Sequence, residues 1–108
     1  MTDKIIELAQ ITLADGKTEQ DLALASTTFQ RDFLNGQDGF LSRDLVRRPD
    51  GTYLDIIHWE SREKADAVFA RAQASEAAGQ YFSVMSFDAQ GAESGVEHCS
   101  FVGSFRAV

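Results

Sequence analysis

The sequence has very little cysteine, proline or histidine: one, one and two residues among 108. A single cysteine, Cys99, cannot form a disulfide within the chain, and this usage is compatible with the cytoplasm, where we expect the protein to reside. Long apolar runs are also missing, because the segment after Met1 is soon interrupted by Glu7 and Gln10. We therefore expect neither a signal peptide nor a membrane span.

Positive charge is scarce as well, with 10 Lys and Arg against 17 Asp and Glu, for a formal net charge of -7. This balance argues against a nucleic-acid partner, which needs a basic face. Three arginines do gather in one segment, but three aspartates are interleaved with them, so we interpret that segment as a solvated edge. These residues are Arg43, Arg47 and Arg48 with Asp44, Asp50 and Asp55.

The eight glycines form no GxGxxG or Walker pattern, so no nucleotide cofactor is predicted, and we expect no cofactor at all. With 44% hydrophobic and 25% charged residues, the chain has the composition of a globular protein. Its length is that of a single domain covering residues 1–108.

A β-hairpin occupies the middle of the chain, between Phe40 and Ser61. Two runs of strand-favouring residues flank Arg48–Gly51, where Pro49 presets a turn dihedral and Gly51 accepts a left-handed one. Before the hairpin, the sequence predicts a strand over Ile5–Leu13 and a helix that is capped by Thr18 and stops at Asn35–Gly36. After it, the sequence predicts a helix capped by Ser61 and a short helix within Ser75–Met85 that is interrupted or ends near Gly79. A loop over Phe87–Gly95 and a last strand over Val96–Phe105 follow.

This order predicts an α+β, ferredoxin-like βαββαβ fold with a four-stranded antiparallel sheet in the order 4-1-3-2 and the helices on one side. The first strand carries aliphatic residues on both of its faces, yet two helices cover only one face of a sheet. We therefore expect a homodimer with twofold symmetry in which the second faces pack against each other.

Several short motifs, combined with this layout, suggest a family. They are Gly39-Phe40-Leu41 at a strand start, Asp50-Gly51 in the hairpin, and Trp59-Glu60-Ser61 leading into a helix with Ala65. With them the chain resembles the antibiotic biosynthesis monooxygenase superfamily of dimeric α/β barrels. The resemblance implies a pocket between sheet and helices in each subunit. Members include cofactor-independent monooxygenases of aromatic polyketides, haem-degrading monooxygenases and proteins of no known activity.

The haem-degrading branch fits the sequence poorly. Its members resemble one another in an asparagine on the first strand, a tryptophan in the helix after the hairpin, and a haem-ligating histidine beyond it. The matching positions here are Ala9 and Val68, and no histidine lies between Ser61 and Glu97. Haem degradation of that type is therefore disfavoured.

A flat aromatic substrate needs stacking surfaces and groups that move a proton near neutral pH. On this basis we predict a catalytic set of His58, Tyr81 and Glu7, and a ligand-binding set of Trp59, His98 and Phe82. The alternative is structural: Trp59 and Tyr81 are anchors of the core or of the dimer interface, and Glu7 reaches solvent or Lys4.

The two histidines lie on strands that flank the first strand, and a third metal ligand would have to come from Glu7 or Gln10. Their spacing matches no metal-binding signature, so we predict no metal site. Cys99 has no basic neighbour in sequence and is interpreted as a small interior residue.

Two functions remain open. By resemblance, the protein is a cofactor-independent monooxygenase acting on a small aromatic or enolisable compound. The alternative is a non-catalytic dimeric domain that binds a small hydrophobic molecule or serves in interactions. A polar pocket holding His58 or Tyr81 favours the enzyme, whereas an interior closed by phenylalanines favours the binding domain. Those phenylalanines are Phe29, Phe33, Phe69 and Phe82.

Overall fold

A computed structural model of the protein describes residues 3–87 and 95–108. The strands are β1 (Ile5–Leu13), β2 (Phe40–Arg47), β3 (Tyr53–Trp59), β4 (Met85–Ser86) and β5 (Val96–Ser100). The α-helices are α1 (Glu19–Asp32), α2 (Arg62–Ala72) and α3 (Glu76–Ser83), and a 3₁₀ turn covers Leu34–Gly36.

The strands form one antiparallel sheet in the order β2-β3-β1-β5, which confirms the predicted ferredoxin-like order. The short strand β4 was not predicted. It pairs with the end of β1, through Thr12 and Leu13, while β5 pairs with the beginning of β1.

Local side-chain bonds explain where the helices begin. Thr18 and Asp21 form a reciprocal capping box, in which the Asp21 N–H donates to Thr18 Oγ1 at 3.2 Å and the Thr18 N–H donates to Asp21 Oδ2 at 2.9 Å. Ser61 caps α2 in the simpler way, by accepting from the Lys64 N–H at 3.2 Å. Both predicted caps are confirmed.

The hairpin turn is also confirmed: Gly51 has φ of 88°, and the Arg48 N–H donates to the Thr52 carbonyl at 2.8 Å. One detail of β2 differs from strict alternation. A bulge between Phe40 and Ser42 places Phe40 opposite Trp59, on the face that the helices cover. The two rings contact edge to face with centroids 5.7 Å apart.

Two other expectations are wrong, and a third concerns residues that the structure does not describe. Helix α3 runs through Gly79 without interruption, because Ser75 caps it and the Gly79 N–H donates to the Ser75 carbonyl at 2.9 Å. Strand β5 ends at Ser100 because it pairs no further than Ile5 of β1, so residues 101–105 are not strand. Most of the predicted loop, residues 88–94, lies outside the described residues.

The core lies between the sheet and the helices. Along β3, Tyr53, Asp55, Ile57 and Trp59 are buried, while the alternate residues Leu54, Ile56 and His58 are only half-buried. Pairing with β1 puts Ile5 and Ile11 on the buried side. The sheet therefore has a helix-covered face and a second face that is left open in the single chain.

Candidate functional site

The helix-covered face carries two polar clusters among its apolar residues. The β1–β3 pairing places Glu7 opposite Ile57 and Ala9 opposite Asp55, so the two carboxylates are diagonal neighbours. Arg43 pairs with Ile57 from the other side, and His98 pairs with Glu7. Four ionisable side chains from four strands thus lie on one face of the sheet.

The first cluster surrounds the guanidinium of Arg43. Its Nη1 donates to Asp55 Oδ2 at 3.0 Å, in an ion pair whose side chains are 6% and 3% exposed. Its Nη2 donates to Ser26 Oγ at 2.8 Å, and its Nε donates to Gln30 Oε1 at 3.2 Å. The donors of Arg43 are thereby used within the chain, as a buried charge requires.

Tyr81 belongs to the same cluster. Its hydroxyl donates to Asp55 Oδ2 at 2.7 Å and accepts from Arg43 Nη1 at 3.2 Å. Burial and the neighbouring carboxylate raise the pKa of Tyr81 far above its usual value of 10.0, so the phenol stays protonated and serves as a donor. Its ring stacks on Phe29, with centroids 4.7 Å apart.

Asp55 has one oxygen without a partner. Burial raises the pKa of this carboxyl, while the Arg43 guanidinium and the Tyr81 hydroxyl favour its charged form. Oδ2 accepts both of those bonds, whereas the buried Oδ1 accepts none from the described residues. The expectation of a solvated edge is wrong for Arg43 and Asp55, since this pair is inside the protein. The other four charged residues of the segment are exposed as expected: Asp44, Arg47, Arg48 and Asp50.

The second cluster joins three of the predicted site residues. Trp59 Nε1 donates to Glu7 Oε1 at 3.1 Å, and His98 Nε2 lies 3.3 Å from the same oxygen. The side chains of Glu7 and His98 are 18% and 19% exposed. Trp59 is itself buried, with its ring against Phe40. Glu7 therefore bonds to side chains of two neighbouring strands rather than to Lys4.

Burial is the main reason that the pKa of Glu7 is raised above its ordinary value; the charge of Asp55 adds to this effect, and His98 and Trp59 oppose it. The small Ala9 side chain lies beside this cluster, between Asp55 and Val96 in the pairing of the strands. Ala9 and Val96 remain half-buried although they face the helices. Two half-buried apolar side chains therefore accompany the partly exposed Glu7 and His98 on the helix-covered face.

The structure does not bring His58 or Phe82 to Glu7 and His98. His58 lies on the open face, where the centroid of its ring is 6.5 Å from the centroid of the Phe101 ring. Phe82 packs between Phe29 and Phe87. The catalytic role of His58 and the ligand-binding role of Phe82 stay predictions. Cys99, expected in the interior, is half-exposed because its position opposite Ile6 puts it on the open face.

A groove of the described residues lies elsewhere. It encloses about 600 Å³ between α1 and β2, and Arg43 is one of the residues that line it. Since Arg43 donates to Asp55, Tyr81, Ser26 and Gln30, it has little capacity left to bind an anion there. We take Glu7 and His98 as the candidate site because a histidine and a carboxylate are in contact there.

Sequence reasoning missed Arg43 and Asp55. The available signal was the alternation in β3, where Asp55 shares its face with Tyr53, Ile57 and Trp59. A carboxylate among apolar side chains on one face of a strand needs a partner. The basic residues of the neighbouring β2 that lie on the same face as Asp55 are Arg43 and Arg47.

Across residues 3–87 and 95–108, no three side chains of the histidine, cysteine and carboxylate types come together as a metal site does. In the same part of the chain, no helix has the length and apolar character needed to cross a membrane.

Comparison with protein-family models and with curated proteins finds no match. Solved structures do match over nearly the whole chain. SnoaB of Streptomyces nogalater, a cofactor-independent oxygenase, has 18% identity, covers 97% of each chain and has a TM-score of 0.61. A protein of Bordetella bronchiseptica described as an antibiotic biosynthesis monooxygenase has 20% identity over 94% of this chain and 99% of its own, with a TM-score of 0.73.

A monooxygenase of Streptomyces coelicolor, solved in complex with the ligand nanaomycin D, has 16% identity over 99% of this chain and 94% of its own, with a TM-score of 0.66. These likenesses confirm the resemblance to the antibiotic biosynthesis monooxygenases at the level of the fold. At identities of 20% and below, they identify a shared architecture and not a shared reaction.

Proposed function

We propose that the protein is a cofactor-independent monooxygenase of a small aromatic or enolisable compound. The observation that carries the proposal is the contact between Glu7 and His98, a partly reachable acid–base pair on the helix-covered face. The fold shared with a cofactor-independent oxygenase gives this pair a chemical context. We also place the protein in the cytoplasm, a setting with which its single cysteine agrees.

In this proposal His98 is the base and Glu7 orients it. With its Nε2 facing the Glu7 carboxylate at 3.3 Å, the imidazole of His98 has the lone pair of Nδ1 available to take a proton. Glu7 then stabilises the imidazolium once it has formed. Trp59 holds the carboxylate from its other side.

The reaction needs an acidic C–H group on the substrate. His98 takes that proton, and the electron-rich substrate anion transfers an electron to dioxygen. Recombination forms a C–O bond and a hydroperoxide at the same carbon. Loss of the second C–H proton with cleavage of the O–O bond then leaves a carbonyl group and water. The sum is R₂CH₂ + O₂ → R₂C=O + H₂O, with dioxygen as the only oxidant.

The protein functions as a homodimer in this proposal. Its open sheet face carries Ile6, Leu8, Leu54 and Ile56, all half-buried in the single chain, with the exposed Val46 beside them. An apolar surface of this kind favours association with a second copy. Packing the open faces together leaves Glu7 and His98 on the outer side of each sheet.

The alternative function, a non-catalytic binding domain, is favoured by the aromatic packing between α1 and α3. Phe33, Phe29 and Tyr81 form a continuous stack, with centroids 5.6 and 4.7 Å apart, and Phe82 leans against it. Three of the four phenylalanines expected to close the interior thus fill part of it. Phe69 is half-buried on α2, outside this stack.

Oxygen consumption separates the two functions. The purified protein is mixed with a flat aromatic ketone whose methylene group is acidic, under ¹⁸O₂. If the protein is a monooxygenase, we expect uptake of one O₂ per substrate and one ¹⁸O atom in the new carbonyl group. The rate of oxygen uptake should exceed the rate without protein. Binding of the ketone without oxygen uptake across a series of such compounds would support the binding domain and contradict the enzyme.

A further inference from the structure

A row of two apolar side chains lies beside Glu7 and His98 in the sheet. Two residues from Glu7, β1 carries Ala9, and two residues from His98, β5 carries Val96. Ala9 and Val96 are opposite each other in the β1–β5 pairing, as Glu7 and His98 are. Residues two apart in a strand share a face and are about 7 Å from each other. Ala9 and Val96 are therefore the next row of side chains beside the acid–base pair.

The row on the other side of the acid–base pair is closed. There Ile5 is paired with Ser100. Ile5 is buried and belongs to the hydrophobic core, and Ser100 is polar. An apolar group that is bound at His98 therefore finds accessible apolar surface toward Ala9 and Val96, and not toward Ile5.

Ala9 and Val96 take little part in the core. Both keep accessible surface on the helix-covered face, whereas Ile5 and Ile11 of the same β1 row are buried. In the described part of the chain, the half-buried apolar residues that pack against the core include neither Ala9 nor Val96. Strands favour larger side chains, which pack better on a pleated surface. Position 9 instead carries the smallest side chain of its row, next to the acid–base pair.

We propose that Ala9 is a specificity-determining residue of the monooxygenase. The substrate carries a planar ring next to its acidic methylene group, and the ring lies across Ala9 and Val96 while the methylene carbon meets His98. A longer side chain at position 9 would occupy the place of the ring, so alanine admits substrates whose methylene group is attached to a ring. This inference rests on the proposed function, because it assigns a substrate class to the same site.

Two ketones separate the fit of the ring from the chemistry. 2-Tetralone has an acidic methylene group attached to a benzene ring, whereas pentane-2,4-dione has an acidic methylene group and no ring. Calorimetric titration without oxygen gives the Kd of 2-tetralone, and oxygen uptake gives kcat/KM for both ketones. Ala9→Leu should raise the Kd of 2-tetralone at least about tenfold, because leucine fills the place of the ring. It should change kcat/KM for pentane-2,4-dione by less than about threefold.

Thr12→Leu is the matched control, because it adds the same side chain to β1 at an exposed position of the opposite face. It should leave the Kd of 2-tetralone within about threefold of the wild-type value. Ala9→Val is a smaller enlargement that suits a strand, and it should raise this Kd about threefold. Ala9→Val decides the question if circular dichroism shows that Ala9→Leu does not fold.

An unchanged Kd of 2-tetralone in the Ala9 variants would overturn the inference. The same holds for equal losses with Ala9→Leu and Thr12→Leu, for equal losses with the two ketones, and for a wild-type protein that does not bind 2-tetralone. Binding of 2-tetralone that is weakened by Ala9→Leu, without oxygen uptake by the wild-type protein, would support the position of the ring and contradict the monooxygenase. The two proposals therefore fail in different ways.

Discussion

The two faces of the sheet, although built from alternate residues of the same strands, handle polar and apolar groups differently. On the helix-covered face, Arg43 and Asp55 are buried and paired with each other. On the open face, aliphatic side chains such as Ile56 are left half-buried, and the His58 ring lies near the Phe101 ring. The comparison places the buried ion pair on the helix-covered face and is consistent with the proposed association through the open face.

The ion pairs of β2 provide the strongest test of the comparison. Arg43→Met leaves Asp55 charged and unpaired in the core, so we expect a loss of about 3–5 kcal/mol in the free energy of unfolding. Arg47→Met, two residues along the same strand, breaks a pair with Glu19 whose side chains are 67% and 53% exposed. Its cost should stay below about 1 kcal/mol. Urea unfolding of both variants checks this, and equal losses would contradict the buried network.

A pair of adjacent isoleucines tests the packing of each face. Ile57→Ala removes a buried side chain under the helices, and we expect a loss of about 2–5 kcal/mol at any protein concentration. Ile56→Ala removes its half-buried neighbour on the open face. Its main effect should be weaker dimerisation, seen as a melting temperature that depends more strongly on concentration. At a concentration low enough for the protein to be monomeric, Ile56→Ala should lose less free energy of unfolding than Ile57→Ala. The opposite order would show that the two faces are wrongly assigned.

The smallest expected effect is a change in the pH dependence of stability. Because the pKa of Glu7 is raised above its ordinary 4.5 in the folded protein, the folded state binds the proton more tightly than the unfolded chain does. Stability therefore falls as the pH rises from about 4.5 through the raised pKa, by about 1.4 kcal/mol for each unit of the shift.

Glu7→Gln should remove this part of the slope, which unfolding measured between pH 4 and 8 would reveal. Glu97→Gln is the matched control, because Glu97 lies next to His98 on β5 but on the open face. If both variants keep the wild-type slope, Glu7 does not contribute to it.

Most of the fold could be predicted from local patterns. Thr18 and Ser61 cap helices through bonds within four residues, and Gly51 sets the hairpin turn by itself, so a single sequence contains the necessary information. The end of β5 could not be predicted in this way. Residues 101–105 alternate as a strand does, but among the described residues the pairing of β5 with β1 stops at Ser100 and Ile5.

The candidate site was predicted only in part. Glu7, Trp59 and His98 were selected as residue types suited to the chemistry, and the structure brings them together. The pairing of Arg43 with Asp55 depends on the register between β2 and β3, which a single sequence does not specify when charged residues alternate on a hairpin. For the same reason, the sequence could not assign His58 and His98 to opposite faces.

The two histidines provide the most direct test of the central claim. His98→Asn and His58→Asn are compared for oxygen consumption with an enolisable aromatic ketone, each at saturating substrate and with its folding checked by circular dichroism. The account predicts that His98→Asn lowers kcat by at least about 100-fold, as expected for the loss of a general base, while His58→Asn stays near the wild-type rate. A His98→Asn variant that keeps the wild-type rate, or a loss confined to His58→Asn, would contradict the claim that the helix-covered face carries the chemistry.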